Sequence, residues 1–137
     1  MVAECREEGL IWCAIPVHNN GATVREVAQK CRALVENVVV VDDGSTDVDL
    51  NRLMHGLRVT VLRHDRNLGK GQAIITASRF IESQGGAYMI TIDADGQHDP
   101  ADILKIIPVL EPDSLIIGWR DFGTDNIPGK SRFGRKF

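Results

Sequence analysis

Short apolar runs alternate along this chain with segments whose apolar residues recur at helical spacing, and this alternation limits the possible folds more than any other feature. Continuous apolar runs are typical of strands that are buried on both faces of a sheet. They predict strands at residues 10–17, 38–41, 59–62, 88–92 and 115–119. Helices are predicted between them, at residues 23–35, 48–55, 73–81 and 100–110, and Pro108 is expected to bend or end the last one. The pattern predicts an α/β fold, a mostly parallel sheet with flanking helices, in one domain covering residues 1–137.

The charge of the chain argues against general nucleic-acid binding, because the formal net charge is −3. The distribution is uneven, since residues 120–137 carry five basic and two acidic side chains. A basic end of this kind is typical of a solvated segment, and it also suits contact with phosphate or with an anionic membrane surface.

The three cysteines, Cys5, Cys13 and Cys31, show no metal-binding spacing. Cys13 and Cys31 lie within apolar patterns, so we predict that they are buried core thiols in a reducing, cytoplasmic setting. The longest apolar run, residues 10–17, is far too short to span a bilayer, and the acidic residues before it are unlike a signal peptide.

Polar clusters follow the predicted strands, at residues 16–20, 42–47, 67–70 and 93–99 and at Arg120. In open parallel sheets, ligands bind outside the carboxyl ends of the strands. Because every cluster follows a strand, all of them are expected at that edge. Their coincidence indicates a binding site more strongly than any single cluster does.

Asp93 and Asp95 lie two residues apart where a strand runs into a turn at Gly96, so both carboxylates can point the same way. Carboxylate oxygens suit Mg²⁺ or Mn²⁺, whose remaining coordination positions often go to substrate phosphates. Two aspartates at a strand end also serve simply as turn formers. An EF-hand is excluded by Gln97 and His98, and zinc lacks a second histidine or cysteine at suitable spacing.

Asp42 and Asp43 end the second predicted strand, where they suit either a side-chain-capped turn or the recognition of a base or ribose. The segment at residues 69–71 is neither a P-loop nor a dinucleotide fingerprint, but Lys70 beside a helix start suits an anion. Arg120, just beyond the last predicted strand, is able to clamp a phosphate.

Taken in order, five stretches resemble the nucleotide-sugar half of a family 2 glycosyltransferase with a GT-A (Rossmann-like) fold. They are residues 14–20, 41–47, 67–71, 93–100 and 117–120. The run from Asp95 to Pro100 (Asp-Gly-Gln-His-Asp-Pro) and the arginine-bearing end most resemble the branch of dolichyl- and polyprenyl-phosphate sugar synthases.

The resemblance implies a role for each matching position. The residues implied to bind the nucleotide are Pro16, His18, Asn20, Asp42, Asp43, Lys70, Asp93 and Ala94. Those implied to hold Mg²⁺ or Mn²⁺ against the diphosphate are Asp93, Asp95 and Gln97. Arg120 and Arg132 are implied to bind phosphate, and Arg135 is an alternative to Arg132 for this role. The implied catalytic residues are Asp95 and Arg120. His18 replaces a usual tyrosine and Asn20 a usual acidic residue, which leaves the nucleobase open.

The implied reaction is metal-dependent transfer of a sugar, with inversion, from a nucleoside-diphosphate sugar of UDP or GDP type to an acceptor such as a polyprenyl phosphate. An ionised phosphate acceptor needs no general base, and none is evident. Relatives in this branch continue into an acceptor-side segment, so the chain is expected to be truncated there. Exposed apolar surface would then favour self-association. Peripheral contact with the inner face of a membrane is expected through the basic end of the chain.

Two alternatives remain open at the level of sequence. A sugar nucleotidyltransferase would use a similar sheet, but it needs a glycine- and arginine-rich loop after the first strand, which residues 16–20 lack. A non-catalytic or inactive nucleotide-sugar-binding fragment would keep the same motifs without turnover.

Overall fold

The computed structural model describes residues 10–118, and these form one parallel sheet with helices on both faces. The strands are β1 (Ile11–Val17), β2 (Asn37–Asp42), β3 (Thr60–Arg63) and β4 (Tyr88–Thr91). Their spatial order is β3-β2-β1-β4, and every neighbouring pair is parallel. The α/β prediction with a mostly parallel sheet is therefore confirmed.

Within residues 10–118, four α-helices connect or follow the strands. They are α1 (Val24–Leu34), α2 (Leu50–Leu53), α3 (Lys70–Ser83) and α4 (Ile103–Ile106). Short 3₁₀ turns flank the last of them, at Pro100–Asp102 and Ile107–Val109. Of the helices between residues 10 and 118, none has the length and apolar character needed to cross a membrane.

The central strands separate two apolar layers. One face of β1, which includes Cys13 and Ile15, packs with α1 and its buried Cys31, and the predicted burial of both thiols is confirmed. The opposite face presents Trp12 and Ala14 to α3. Since all seven residues of β1 are buried, the strand reads as a continuous apolar run rather than an alternating one.

The segment after β4 begins as predicted but becomes irregular sooner. The Asp99 side chain accepts a hydrogen bond from the Ala101 N–H, with Pro100 at the first helical position. The predicted helix to residue 110 is shorter in the structure, because α4 ends at Ile106 and Pro108 lies in a 3₁₀ turn. Proline has no N–H to continue the helical ladder.

The fifth predicted strand, at residues 115–119, is wrong for residues 115–118, which are irregular. Leu115 and Ile117 are 86% and 76% exposed. An apolar run forms a strand only when its backbone groups pair with a neighbour, and β4 is an edge strand of the sheet described here. Trp119 lies outside the described residues.

Candidate functional site

A cavity of about 360 Å³ opens at the carboxyl edge of the sheet, between the segments that follow β1, β2 and β4 and the start of α3. Its lining residues are Pro16, Val17, His18, Asn20, Asp43, Asn67, Gly69, Lys70, Ala73, Asp93, Ala94 and Asp95. Four of the predicted polar clusters therefore meet in one place. Among the residues predicted to bind the nucleotide, only Asp42 is absent from this lining.

The segment after β1 forms one wall, which is tied to the segment after β2. His18 Nδ1 donates to the carbonyl oxygen of Asp43 at 2.8 Å. The backbone N–H of Asn19, a residue with φ of +53°, donates to Ser45 Oγ at 3.0 Å. Asn20 Nδ2 donates to the carbonyl oxygen of His18 at 3.3 Å. These bonds fix the backbone of the wall and leave the His18 ring at its surface.

A third segment joins the same wall from β4. Thr23, just before α1, donates its hydroxyl to the carbonyl oxygen of Ala94 at 2.6 Å. The loops after β1, β2 and β4 are thus held together by direct hydrogen bonds around the cavity.

Asp43 lies buried at the end of β2, with its side chain 4% exposed. Oδ1 accepts hydrogen bonds from the Leu68 N–H and from His64 Nδ1, each at 2.8 Å. Oδ2 accepts from the Gly69 N–H at 2.9 Å. Burial alone would raise the pKa of Asp43, but these donors favour the charged form more strongly, so the pKa of this carboxyl is lowered. Asp43 is therefore an ionised, well-satisfied group in the cavity wall.

Asp42 does not line the cavity, and its carboxylate is engaged by other groups. It is 1% exposed, and its oxygens accept from the Ser45 N–H at 2.8 Å and from the guanidinium of Arg63. These contacts match the capped-turn interpretation that the sequence left open. Gly44 completes the turn with φ of +72°, and a Cβ there would lie 2.5 Å from the backbone of Arg66.

Asp93 and Asp95 form the opposite corner of the cavity, after β4. The Asp93 carboxylate pairs with the ammonium group of Lys70, the first residue of α3. His98 lies on the other side, with Nε2 at 3.6 Å from Asp93 Oδ2 and Nδ1 accepting from the Asp93 N–H at 3.2 Å. Asp95 Oδ1 accepts from the Gln97 N–H at 2.9 Å. The Gln97 side chain is outside the cavity lining.

Asp93 and Asp95 are the candidate metal ligands at this corner. Both carboxylates line the cavity, and a cationic group already lies against Asp93. Within residues 10–118, no group of three or more His, Cys, Asp or Glu side chains is placed to hold a metal by itself. An ion bound here would need oxygens from a ligand to complete its coordination, which is the usual arrangement for Mg²⁺ with substrate phosphates.

Sequence reasoning missed His64 and Thr76, which stand behind Asp43. His64 directly follows β3, so the strand-end rule that identified the other clusters would also have found it. Thr76 lies in the middle of α3, where a hydroxyl carries no signal of its own. Arg120 and Arg132, the predicted phosphate-binding residues, lie outside the described residues.

Comparison with known proteins points to one family. The family model described as Glycosyl transferase family 2 matches residues 12–135. A UDP-N-acetylglucosamine–dolichyl-phosphate N-acetylglucosaminyltransferase from Methanococcus voltae is 31% identical over 131 residues, covering 81% of this chain and 52% of that protein. A dodecaprenyl-phosphate galacturonate synthase from Rhizobium johnstonii is 28% identical over 126 residues, covering 82% of this chain and 36% of that protein.

Solved structures show the same fold. Glucosyl-3-phosphoglycerate synthase from Mycobacterium tuberculosis, crystallised with Mn²⁺, UDP and glucosyl-3-phosphoglycerate, superposes with a TM-score of 0.60 at 21% identity. The match covers 82% of this chain and 43% of the other, and it confirms the predicted GT-A fold class. The chain spans about half the length of the Methanococcus voltae relative and less than half the length of the glucosyl-3-phosphoglycerate synthase chain.

Proposed function

The chain belongs to glycosyl transferase family 2, and from that membership we propose that its cavity binds a nucleoside-diphosphate sugar together with Mg²⁺ or Mn²⁺. The observation that carries this proposal is the placement of Asp93, Asp95 and Lys70 on one cavity edge. Two carboxylates and an ammonium group together suit a diphosphate bridged by a metal ion. The sugar-transferring relatives in the family agree with this choice of ligand.

The length of the cavity edge supports a nucleoside at one end and a diphosphate at the other. Asp43 follows β2 and Asp93 follows β4, with β1 between those strands. Two strand spacings separate the corners by about 10 Å. We assign the nucleoside to the wall of Pro16, His18 and Asp43, and the diphosphate to Lys70 and the Asp93 corner.

The metal is assigned to Asp93 and Asp95, with Gln97 as the third ligand implied by the family. A bound divalent cation would stabilise the negative charge that develops on the departing diphosphate. Lys70 is already beside Asp93, where it would add positive charge to the same phosphates. Arg120 and Arg132 are proposed to contact the donor or acceptor phosphates.

For the acceptor we propose a polyprenyl phosphate, because relatives that match this chain carry dolichyl-phosphate or dodecaprenyl-phosphate in their names. Its ionised phosphate would attack the sugar directly, with inversion and without a general base. Such a lipid places the reaction at a membrane surface, and the free cysteines favour its cytoplasmic side. Asp95 and Arg120 are the residues that we propose to act nearest the reacting centre.

The test is a thermal-shift panel of UDP, GDP, CDP and dTDP, each with and without Mn²⁺. A ligand at about 100 times its Kd stabilises the native state by about 2.7 kcal/mol, which raises Tm by about 10 °C for a domain of this size. One nucleotide should give a shift that depends on Mn²⁺, and Asp93→Ala should abolish it.

The matched control is Asp102→Ala, which removes an exposed aspartate paired with Lys105 outside the cavity. Its nucleotide-dependent shift should equal that of the wild type. No shift with any of the four nucleotides would contradict the donor site, and a shift unchanged by Asp93→Ala would contradict the metal assignment. Sugar transfer to undecaprenyl phosphate then tests the acceptor.

A further inference from the structure

A chain of hydrogen bonds runs behind the cavity wall from α3 to the end of β2. Thr76 Oγ1 lies 2.8 Å from His64 Nε2, and His64 Nδ1 lies 2.8 Å from Asp43 Oδ1. The His64 side chain is 10% exposed and that of Asp43 is 4% exposed. Neither His64 nor Thr76 belongs to the cavity lining.

The directions of these bonds follow from the chemistry of the three groups. An ionised carboxylate only accepts, so His64 Nδ1 carries a proton and donates it to Asp43. In the neutral ring Nε2 is then an acceptor, and the Thr76 hydroxyl donates to it. Both edges of the imidazole are engaged, which fixes the orientation of the ring.

The other two donors to Asp43 depend on the carboxylate for their own placement. Leu68 and Gly69 donate from a loop that is held in place by Asp43, so the support is mutual. The Gly69 N–H is moreover shared with Asn67 Oδ1 at 2.9 Å. His64 differs, because it directly follows β3 and its own N–H donates to the Asp42 carbonyl oxygen at 2.8 Å.

We propose that His64 is a positioning residue for the donor pocket, and that Thr76 holds it in the orientation this requires. Through Asp43, the ring ties the loop that contains Leu68 and Gly69 to the ends of β2 and β3. An ionised carboxylate offers about four acceptor positions, and the three hydrogen bonds leave roughly one, on the oxygen that Gly69 also contacts. Losing His64 would free the carboxylate to turn, which would misplace both that acceptor and the wall. The effect expected on nucleotide affinity rests on the proposed function.

The test compares two replacements of His64 that differ in one donor. Asparagine places an N–H near the position of Nδ1, whereas leucine offers none. His64→Leu should weaken the binding of UDP in the presence of Mn²⁺ about tenfold, because one hydrogen bond to a charged group is lost. If the thermal-shift panel selects another nucleotide, the same loss is expected for that nucleotide. His64→Asn should restore most of that affinity, and Kd is measured by titration calorimetry below the melting transition.

Thr76→Val provides a second variant that keeps the size of the side chain and the whole of His64. It should weaken binding by about twofold to fivefold and lower Tm modestly, because it removes only the hydroxyl that His64 Nε2 contacts. His55→Leu is the control, since His55 is an exposed histidine outside the cavity lining. Equal Kd for wild type, His64→Leu and Thr76→Val would overturn the proposal, as would failure of asparagine to improve on leucine.

Hydrogen exchange gives a readout that needs no nucleotide. Thr76→Val and His64→Leu should both speed exchange at the Leu68 and Gly69 amides, relative to amides in β1. If the wild type binds none of the nucleotides but exchange responds in this way, the proposed donor is wrong while the positioning role holds. Unchanged exchange at both amides would contradict the positioning role itself.

Discussion

The two carboxylate corners of the cavity are built in opposite ways. Asp43 is 4% exposed and is surrounded by fixed donors from a strand end and a loop. Asp93 is 28% exposed, and its main partner is the ammonium group of Lys70, a side chain that is itself 58% exposed. At one corner the protein supplies three of the about four hydrogen bonds that a carboxylate can accept, whereas the other corner holds an exposed ion pair.

The difference shows what each corner can do. A buried carboxylate needs several hydrogen bonds from the protein to offset its desolvation, and these bonds make it rigid. A half-exposed ion pair contributes little to stability and breaks easily. We therefore expect Asp43 to set the shape of the pocket and Asp93 to respond to what enters it.

The largest effect should come from removing the rigid corner. Asp43→Ala leaves the Leu68 and Gly69 amides and the His64 ring without their shared acceptor, so the free energy of unfolding should fall by about 3 kcal/mol. Urea denaturation at pH 7 measures the change. The exposed Asp65 provides the control, and Asp65→Ala should stay within about 0.5 kcal/mol of the wild type. An equal fall in the free energy of unfolding in both variants would contradict the description of Asp43 as the rigid corner.

A smaller effect is expected from pH, and its sign follows from the lowered pKa of Asp43. Because the folded-state pKa lies below the ordinary value of 3.8, the unfolded chain binds more protons between the two values. The stabilisation is full above the unfolded pKa and is lost as pH falls through the folded pKa. Urea denaturation from pH 6 down to pH 2 should show the gap between wild type and Asp43→Ala narrowing below about pH 4. A constant gap would mean that the carboxylate charge contributes nothing.

The smallest effect on stability should come from the Asp93 corner, where Lys70→Met should change the free energy of unfolding by at most about 1 kcal/mol. Its effects on binding should have opposite signs. Mn²⁺ alone should bind about threefold more tightly, because the competing ammonium group is gone, whereas UDP with saturating Mn²⁺ should bind about tenfold more weakly. Electron paramagnetic resonance of free Mn²⁺ and calorimetry of UDP measure the two affinities.

Lys105→Met is the matched control for that experiment, because Lys105 also forms an exposed ion pair with an aspartate, at 2.8 Å from Asp102. It should leave both affinities unchanged. If Lys70→Met lowered the affinity for Mn²⁺, Lys70 would support the metal site rather than compete for it.

The sheet and the edge at which the candidate site lies were predictable from the sequence because both depend on local patterns. Buried parallel strands are apolar along their whole length, and their carboxyl ends meet at one edge. Asp93, Asp95 and Lys70 were found in this way and lie together in the structure. The strand predicted at residues 115–119 failed for residues 115–118, since pairing with a neighbour is not encoded in an apolar run.

The sequence could not distinguish Asp42 from Asp43, because they are adjacent and chemically identical. The distinction arises from the register of β2 with β3, which places Arg63 opposite Asp42. The contact of His64 with Thr76 is equally invisible in the sequence. The contact depends on how the β3–α3 connection folds back over the sheet. His64 and Thr76 are twelve residues apart, and this spacing matches no helix or strand period.

The strand order β3-β2-β1-β4 also determines when each part of the site can appear during synthesis. The residues around Asp43 come from β2, β3 and α3, all complete by Ser83. The Asp93 corner needs β4, whose Tyr88 must find Ile11 on β1 across a long stretch of chain. Closing so long a loop carries a larger entropy cost than local pairing. On the ribosome, therefore, the pocket wall should assemble before the chain has acquired the carboxylates proposed to bind metal.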